Sequence, residues 1–245
     1  MGEEVAPPAS WPNAAAYWCL WATVGTTARL AFRVAVQGRL PRHGPCVVVA
    51  NHASFLDPVV LGAACRRRIF FLMDAVLCRT PPLRWFYRLS RVIPVDPRGS
   101  NREALRRARA ELDRGHVIGI FPEGGISRDG SMVLGNTGAV SLALNGDVPV
   151  VPVGIVGAYG ALPAHRSLPS FRRVRVHFGT PMLPSDLLAD GGVAPPATDP
   201  LSPTTRDRNR KVRLRVATRR VMDAVAALAG QTSREAELEG RARAR

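Results

Sequence analysis

Acidic side chains are scarce in this sequence and lysine is all but missing. Nineteen Asp and Glu stand against 34 Lys and Arg, giving a formal net charge of +15, and Lys211 is the only lysine. That balance points to phosphate-bearing partners, namely an anionic membrane surface, a phosphorylated ligand or nucleic acid, although so uniform an arginine bias is also what genome composition alone would leave. Aromatic residues make up only 6% of the chain, and the basic residues are spread along it without a recognised reading motif, which argues against nucleic acid as a partner. The four cysteines, Cys19, Cys46, Cys65 and Cys78, show neither CxxC pairing nor zinc-like spacing with the five histidines, so a disulfide framework and a metal site are both disfavoured and a reducing compartment fits. Glu3 and Glu4 stand where a secretory signal would carry positive charge. There are no internal repeats.

Long apolar runs are also lacking. The nearly uncharged stretch from Trp11 to Ala28 lies at the lower edge of the ~20 residues that a spanning helix requires, and it contains Asn13 and three threonines. Read as a helix, residues 11–37 place Tyr17, Trp18, Trp21, Val24, Gly25, Ala28 and Phe32 at three- and four-residue steps, with Arg29 and Arg33 beside them. Such a stripe suits a helix lying in the membrane interface, which is the expected reading, with docking on the domain core as the alternative.

What the sequence has in plenty is short apolar runs. Hydrophobic residues form 46% of the 245 positions, enough for one domain with a sizeable core. The runs 46–50, 69–73, 92–95, 117–121, 148–156 and 174–178 read as strands, separated by expected helices at 57–64, 80–89, 100–114 and 138–146. This alternation predicts an α/β fold: a single domain with a mostly covered mixed β-sheet flanked by helices and preceded by an N-terminal amphipathic helical segment. The expected division is a membrane-associating segment at 1–40, an α/β domain at 41–230 and a flexible tail at 231–245. A Gly/Pro/Ala-rich loop at 190–205 precedes a basic helix over 206–228.

Two places carry chemistry. In "NHASFLD", 51–57, His52 directly follows a buried strand, and Asp57 is five residues on, far enough for its carboxylate to fold back to the imidazole. An aspartate on one ring nitrogen fixes the tautomer so that the other nitrogen can take a proton from a hydroxyl. The competing reading makes Asp57 the cap of a helix beginning at Pro58. In "FPEGGIS", 121–127, an apolar run ends in Glu123 and paired glycines, a turn that can expose N–H groups and bring a carboxylate to the same sheet edge.

Four blocks in order, "NHASFLD", "VIPVDPRG" (92–99), "FPEGGIS" and "VPVVPVGI" (148–155), resemble the glycerolipid acyltransferase family typified by 1-acylglycerol-3-phosphate acyltransferase. The resemblance covers residues 40 to 180. It implies transfer of a fatty acyl group from a thioester, acyl-CoA or acyl carrier protein, to the hydroxyl of a lysophospholipid in phospholipid biosynthesis. No metal or redox cofactor is implied. It makes His52 and Asp57 the base and its orienting acid, Glu123 and Gly124 part of the acceptor-binding block, and Arg98 the phosphate-binding arginine. It also implies membrane phospholipids as partners and a peripheral or monotopic place on the cytoplasmic side of the cell membrane. A catalytically silent lipid-binding module of the same fold is the rival reading, and it would not need His52, Asp57 and Glu123 together. The chain departs from the family pattern twice: Pro97 displaces the arginine by one place, and Gly125 and Ile126 stand where threonine and arginine are usual. The second departure predicts a less basic acceptor pocket, suited to a headgroup-bearing lysophospholipid or another lipid alcohol.

Overall fold

The computed structural model of the chain describes residues 14–79, 84–96, 99, 101–133, 135–166, 168–189 and 203–231. Strands β1 (Ala35–Gln37), β2 (Cys46–Ala50), β3 (Ile69–Asp74), β4 (Ile93–Val95), β5 (Val117–Ile120), β6 (Val150–Val156) and β7 (Arg175–Phe178) form one seven-stranded sheet in the order β1-β7-β6-β2-β5-β3-β4. All pairings are parallel except β6 with β7, so the sheet is mixed. The helices are α1 (Ala14–Ala31), α2 (Asp57–Ala64), α3 (Ala75–Cys78), α4 (Arg84–Leu89), α5 (Arg102–Asp113), α6 (Gly138–Gly146), α7 (Ala158–Ala161), α8 (Pro184–Leu188) and α9 (Pro203–Ala229).

The central strands read as unbroken apolar runs because both of their faces are covered. Along β2, Cys46, Val48 and Ala50 join one hydrophobic cluster, with Val60 and Leu61 of α2 and Ala28 of α1. Val47 and Val49 join the other, with Ala108 of α5, Val140 of α6 and Val225 of α9. Successive side chains of a strand point to opposite faces, so α1 and α2 cover one side of the sheet and α5, α6 and α9 the other. The chain leaves β2 in one direction and returns through β5 to β6 on β2's other side. Every loop that follows β2, β3, β4, β5 or β6 therefore opens on one edge of the sheet, where ligands gather in folds of this kind.

The N-terminal stripe docks on the core. Gly25, Ala28 and Phe32 are buried, Trp21 and Val24 are half-buried, and Trp18, Arg29 and Arg33 are exposed. The stretch expected to be a separate segment at 1–40 thus supplies β1 to the sheet and buries Leu40 as well. The helix expected at 80–89 is described only from Arg84, and Asp74 starts an unforeseen turn, α3, by accepting from the Val76 N–H at 2.7 Å. Most of the 190–205 loop, and the tail beyond Gln231, lie outside the described residues. Among the described residues no helix is long and apolar enough to cross a membrane.

Candidate active site

His52 sits two residues beyond β2 because the strand ends without losing its pairing. The buried Asn51 turns its carboxamide to β6, donating from Nδ2 to the Ile155 carbonyl at 2.9 Å and accepting from the Ile155 N–H at 2.7 Å. A side chain thereby does the pairing of a peptide group, and the backbone of 52–54 is released to turn. Within that turn Asp57, fully buried in the first turn of α2, accepts through Oδ2 alone from three donors: His52 Nδ1 at 2.9 Å, Ala53 N–H at 2.7 Å and Ser54 N–H at 2.7 Å. The capping reading of Asp57 fails: Asp57 is the first residue of α2, Leu56 is the N-cap and no side chain caps the helix, so the carboxylate reaches back to the imidazole and to the loop before the helix. Burial pushes this carboxyl up, and the imidazole together with the two peptide N–H groups pulls against it. Ser54 belongs to the turn: its hydroxyl donates to the Leu162 carbonyl at 2.6 Å and accepts from Leu56 N–H at 3.0 Å.

The second block locks onto the first through the backbone of His52 itself. Glu123 Oε1 accepts from the His52 N–H at 2.8 Å, and the Ser127 N–H donates to the His52 carbonyl at 2.8 Å. Glu123 Oε2 also accepts from the Val133 N–H at 3.4 Å, and burial raises the Glu123 carboxyl to about 7. Gly124 takes φ 75°, the left-handed region that turns the chain away from β5. The imidazole lies flat on Phe121, with ring centroids 4.2 Å apart at 19°, and Phe121 in turn stacks on Phe71 of β3 at 5.8 Å and 4°. That ladder requires Gly119 below it, because a Cβ there would meet Phe71 Cδ1 at 2.6 Å. With Nδ1 engaged and the ring face covered, Nε2 is left with no partner among the described residues, and the side chain keeps 17% of its surface open.

Of the residues expected to form a site, the structure brings His52, Asp57, Glu123 and Gly124 to one edge. Arg98 lies outside the described residues. Arg128 is exposed. Asn51 and Phe121 position the imidazole and were not singled out by sequence reasoning. Both stand inside the quoted blocks, and block membership was the one signal that could have found them. No cluster of His, Cys, Asp and Glu able to hold a metal occurs among the described residues.

An open α/β sheet with a histidine–aspartate pair at the carboxyl end of its central strand is the class of site that the geometry defines. The comparisons narrow the class. A family model described as Acyltransferase matches residues 32–156, and this chain belongs to that family. Relatives include a chloroplastic 1-acyl-sn-glycerol-3-phosphate acyltransferase of Brassica napus, 31% identical over 180 residues that make up 70% of this chain and 51% of the relative. They also include a lyso-ornithine lipid O-acyltransferase of Pseudomonas aeruginosa, 33% identical over 137 residues, 55% of this chain and 52% of the relative. The chain spans about half the length of the curated relatives it matches. The fold is shared with the crystal structure of a 1-acyl-sn-glycerophosphate acyltransferase from Thermotoga maritima, with a TM-score of 0.59 and 24% identity over 89% of this chain and 85% of that one.

Proposed function

We propose that the chain transfers a fatty acyl group from an acyl-CoA or acyl carrier protein thioester to the hydroxyl of a lysophospholipid at a membrane surface. The observation that carries this reading is the 2.9 Å contact from His52 Nδ1 to a buried Asp57, which leaves Nε2 for a substrate. In this mechanism the acceptor hydroxyl attacks the thioester carbonyl directly while Nε2 takes its proton. The tetrahedral oxyanion collapses, the C–S bond breaks, and the leaving thiolate is reprotonated by the imidazolium. Asp57 holds Nδ1–H throughout. The turn at Gly125 and Ile126, whose N–H groups have no partner among the described residues, offers donors to the oxyanion. Glu123 acts by seating His52 and Gly124 by letting the turn approach the acceptor. Arg98, from the loop after β4, is the candidate for a phosphate contact.

The acceptor reading follows from Ile126. With an aliphatic side chain where the family's FPEG block usually has an arginine, one expected phosphate contact is missing, and lysophosphatidate is not favoured over lysolipids with larger headgroups. The relative named for a lyso-ornithine lipid shows that such acceptors occur among similar chains. The test is thioester consumption coupled to acylated-lipid formation with purified protein, both donor types and a panel of acceptors. At least one headgroup-bearing lysolipid should be used as fast as lysophosphatidate. A strict preference for lysophosphatidate would refute the acceptor assignment, and no turnover with any pair would favour the silent lipid-binding module.

A further inference from the structure

The loop between β5 and α6, residues 121–137, is tied down along its whole length. Its near limb is seated on His52 through Glu123 and Ser127, and its foot is closed by the Asn136 N–H, which donates to the Pro122 carbonyl at 2.7 Å. Its far limb, 128–131, is held by two side chains that stand in none of the four blocks. The Tyr159 hydroxyl donates to the Arg128 carbonyl at 3.0 Å, and Gln231 Nε2 donates to the Gly130 carbonyl at 2.9 Å. Gly130 takes φ 80° and lies so near the Tyr159 ring that a Cβ would stand 3.1 Å from Cγ, so the ring packs on the peptide backbone as well. Between the two held carbonyls, Asp129 accepts from the hydroxyls of Ser127 and Ser131 and from the Ser131 N–H. The ties on the far limb therefore reach, through Asp129 and Ser127, to the carbonyl of His52.

Both side chains come from fixed supports. Tyr159 belongs to α7, whose Ala158 and Ala161 are buried and whose next residue, Leu162, accepts from the Ser54 hydroxyl of the His52 loop at 2.6 Å. Gln231 follows the end of α9, where Gly230 takes φ 63° and the Gln231 N–H donates to the Ala226 carbonyl at 2.9 Å, with Val225, Ala226 and Ala229 buried in the core. Gln231 Oε1 is buried with no partner among the described residues. An unpaired buried acceptor lowers stability, so an apolar side chain would serve a mere helix end better. What accounts for the glutamine is the carbonyl that its Nε2 holds.

We infer that Tyr159 and Gln231 are positioning residues for the acceptor: by holding the far limb of the loop they keep the turn at 123–126 in the place where the acceptor binds. This rests on the reading of that turn as the acceptor block. The tip has little to hold it otherwise, since the Gly125 and Ile126 N–H groups have no partner among the described residues and a Cβ at Gly125 would meet nothing within 4 Å. Its place is set by the limbs. When the ties are cut, part of the population carries the turn elsewhere, and the apparent affinity for the acceptor falls in proportion to the competent fraction. A saturating acceptor draws the turn back, so turnover is spared. Because the two ties hold one limb, either alone keeps most molecules in place, and their loss is felt fully only when both are removed.

The test compares Tyr159→Ala, Gln231→Ala and the double variant with wild type, and adds Tyr159→Phe, which keeps the ring on Gly130. Each alanine variant should raise the KM for a short-chain lysolipid acceptor about two- to fourfold and the double variant about tenfold or more, with the KM for the thioester donor unchanged and kcat lowered by no more than about twofold. Tyr159→Phe should fall between Tyr159→Ala and wild type. Hydrogen exchange gives a readout that needs no turnover: the Ser127 and Asn136 amides, both bonded in the wild-type loop, should exchange about tenfold faster in the double variant while the thermal melt is unchanged. Faster exchange with no turnover of any donor and acceptor pair would leave the two ties standing and sink the acyl-transfer reading. Wild-type exchange or a wild-type acceptor KM in the double variant overturns the inference. So does a fall in kcat at unchanged acceptor KM, which would make the two residues supports of the base or of the fold.

Discussion

Replacing Asp57 with asparagine separates the two tasks of that side chain. The Ala53 and Ser54 N–H groups, each 2.7 Å from Oδ2, will hold the amide oxygen of an asparagine where Oδ2 now stands. That oxygen still accepts from His52 Nδ1, so the tautomer is retained, and what disappears is the negative charge beside the imidazolium that forms during proton transfer. At a separation of about 4 Å between charge centres and an effective dielectric constant near 20, the lost attraction is roughly 4 kcal/mol, an upper figure for a rate loss of about 10² to 10³. Stability should fall by only about 1 to 2 kcal/mol, the difference between a charge-assisted and a neutral hydrogen bond. Asp57→Ala, by contrast, strands two buried peptide N–H groups at about 1 to 3 kcal/mol each and should damage fold and rate together. The assay is thioester release coupled to lipid acylation, with a thermal melt on each variant. Adding Asp57→Asn to His52→Ala should cost little beyond His52→Ala alone, because the two residues act as a unit. A well-folded Asp57→Asn protein with wild-type turnover would refute the reasoning and leave Asp57 as a loop tie only.

Two other substitutions test the frame around the site. Glu123 is raised from 4.5 to about 7 by burial, so the folded chain keeps a proton that the unfolded chain has released between those values. Its contribution to stability is complete below about pH 4.5 and lost as pH rises through about 7, a swing of at most about 3 kcal/mol. Glu123→Gln, which keeps an acceptor for the His52 N–H, should flatten that decline in melts taken from pH 5 to 8, and an identical decline in both proteins would contradict it. Gly154 lies under the end of α9, where a Cβ would stand 2.5 Å from Ala229 N and 2.6 Å from the Leu228 carbonyl oxygen. Gly154→Ala should therefore cost about 1 to 3 kcal/mol in a denaturant titration by pushing the helix off the sheet, and no loss would show that α9 has slack there.

The core strands were legible because each lies buried on both faces and shows as a bare apolar run. β1 was not, since it is a three-residue edge strand with two of its residues exposed, and no alternation emerges from Ala35, Val36 and Gln37. The turns α3, α7 and α8 are four or five residues long, too short for helical periodicity to accumulate. At the site, spacing and order were enough to pair His52 with Asp57 and to put Glu123 near them. The bond from Glu123 to the His52 N–H was not legible, because a carboxylate that accepts from a distant peptide group leaves no period in the sequence. The same holds for Asn51, whose partner Ile155 is 104 residues away.

The two hydrogen bonds that fasten the His52 peptide group to Glu123 and Ser127 have a consequence for anyone who would re-engineer substrate choice. The stretch that the proposed function assigns to the acceptor is also the seat of His52, the proposed general base. A graft of residues 121–127 from another chain would carry a foreign seat with it, and a gain in selectivity would be confounded with a tilted imidazole. Residues 51–57 and 121–127 are one mechanical part made from two distant pieces of chain, and they are best transplanted as a pair.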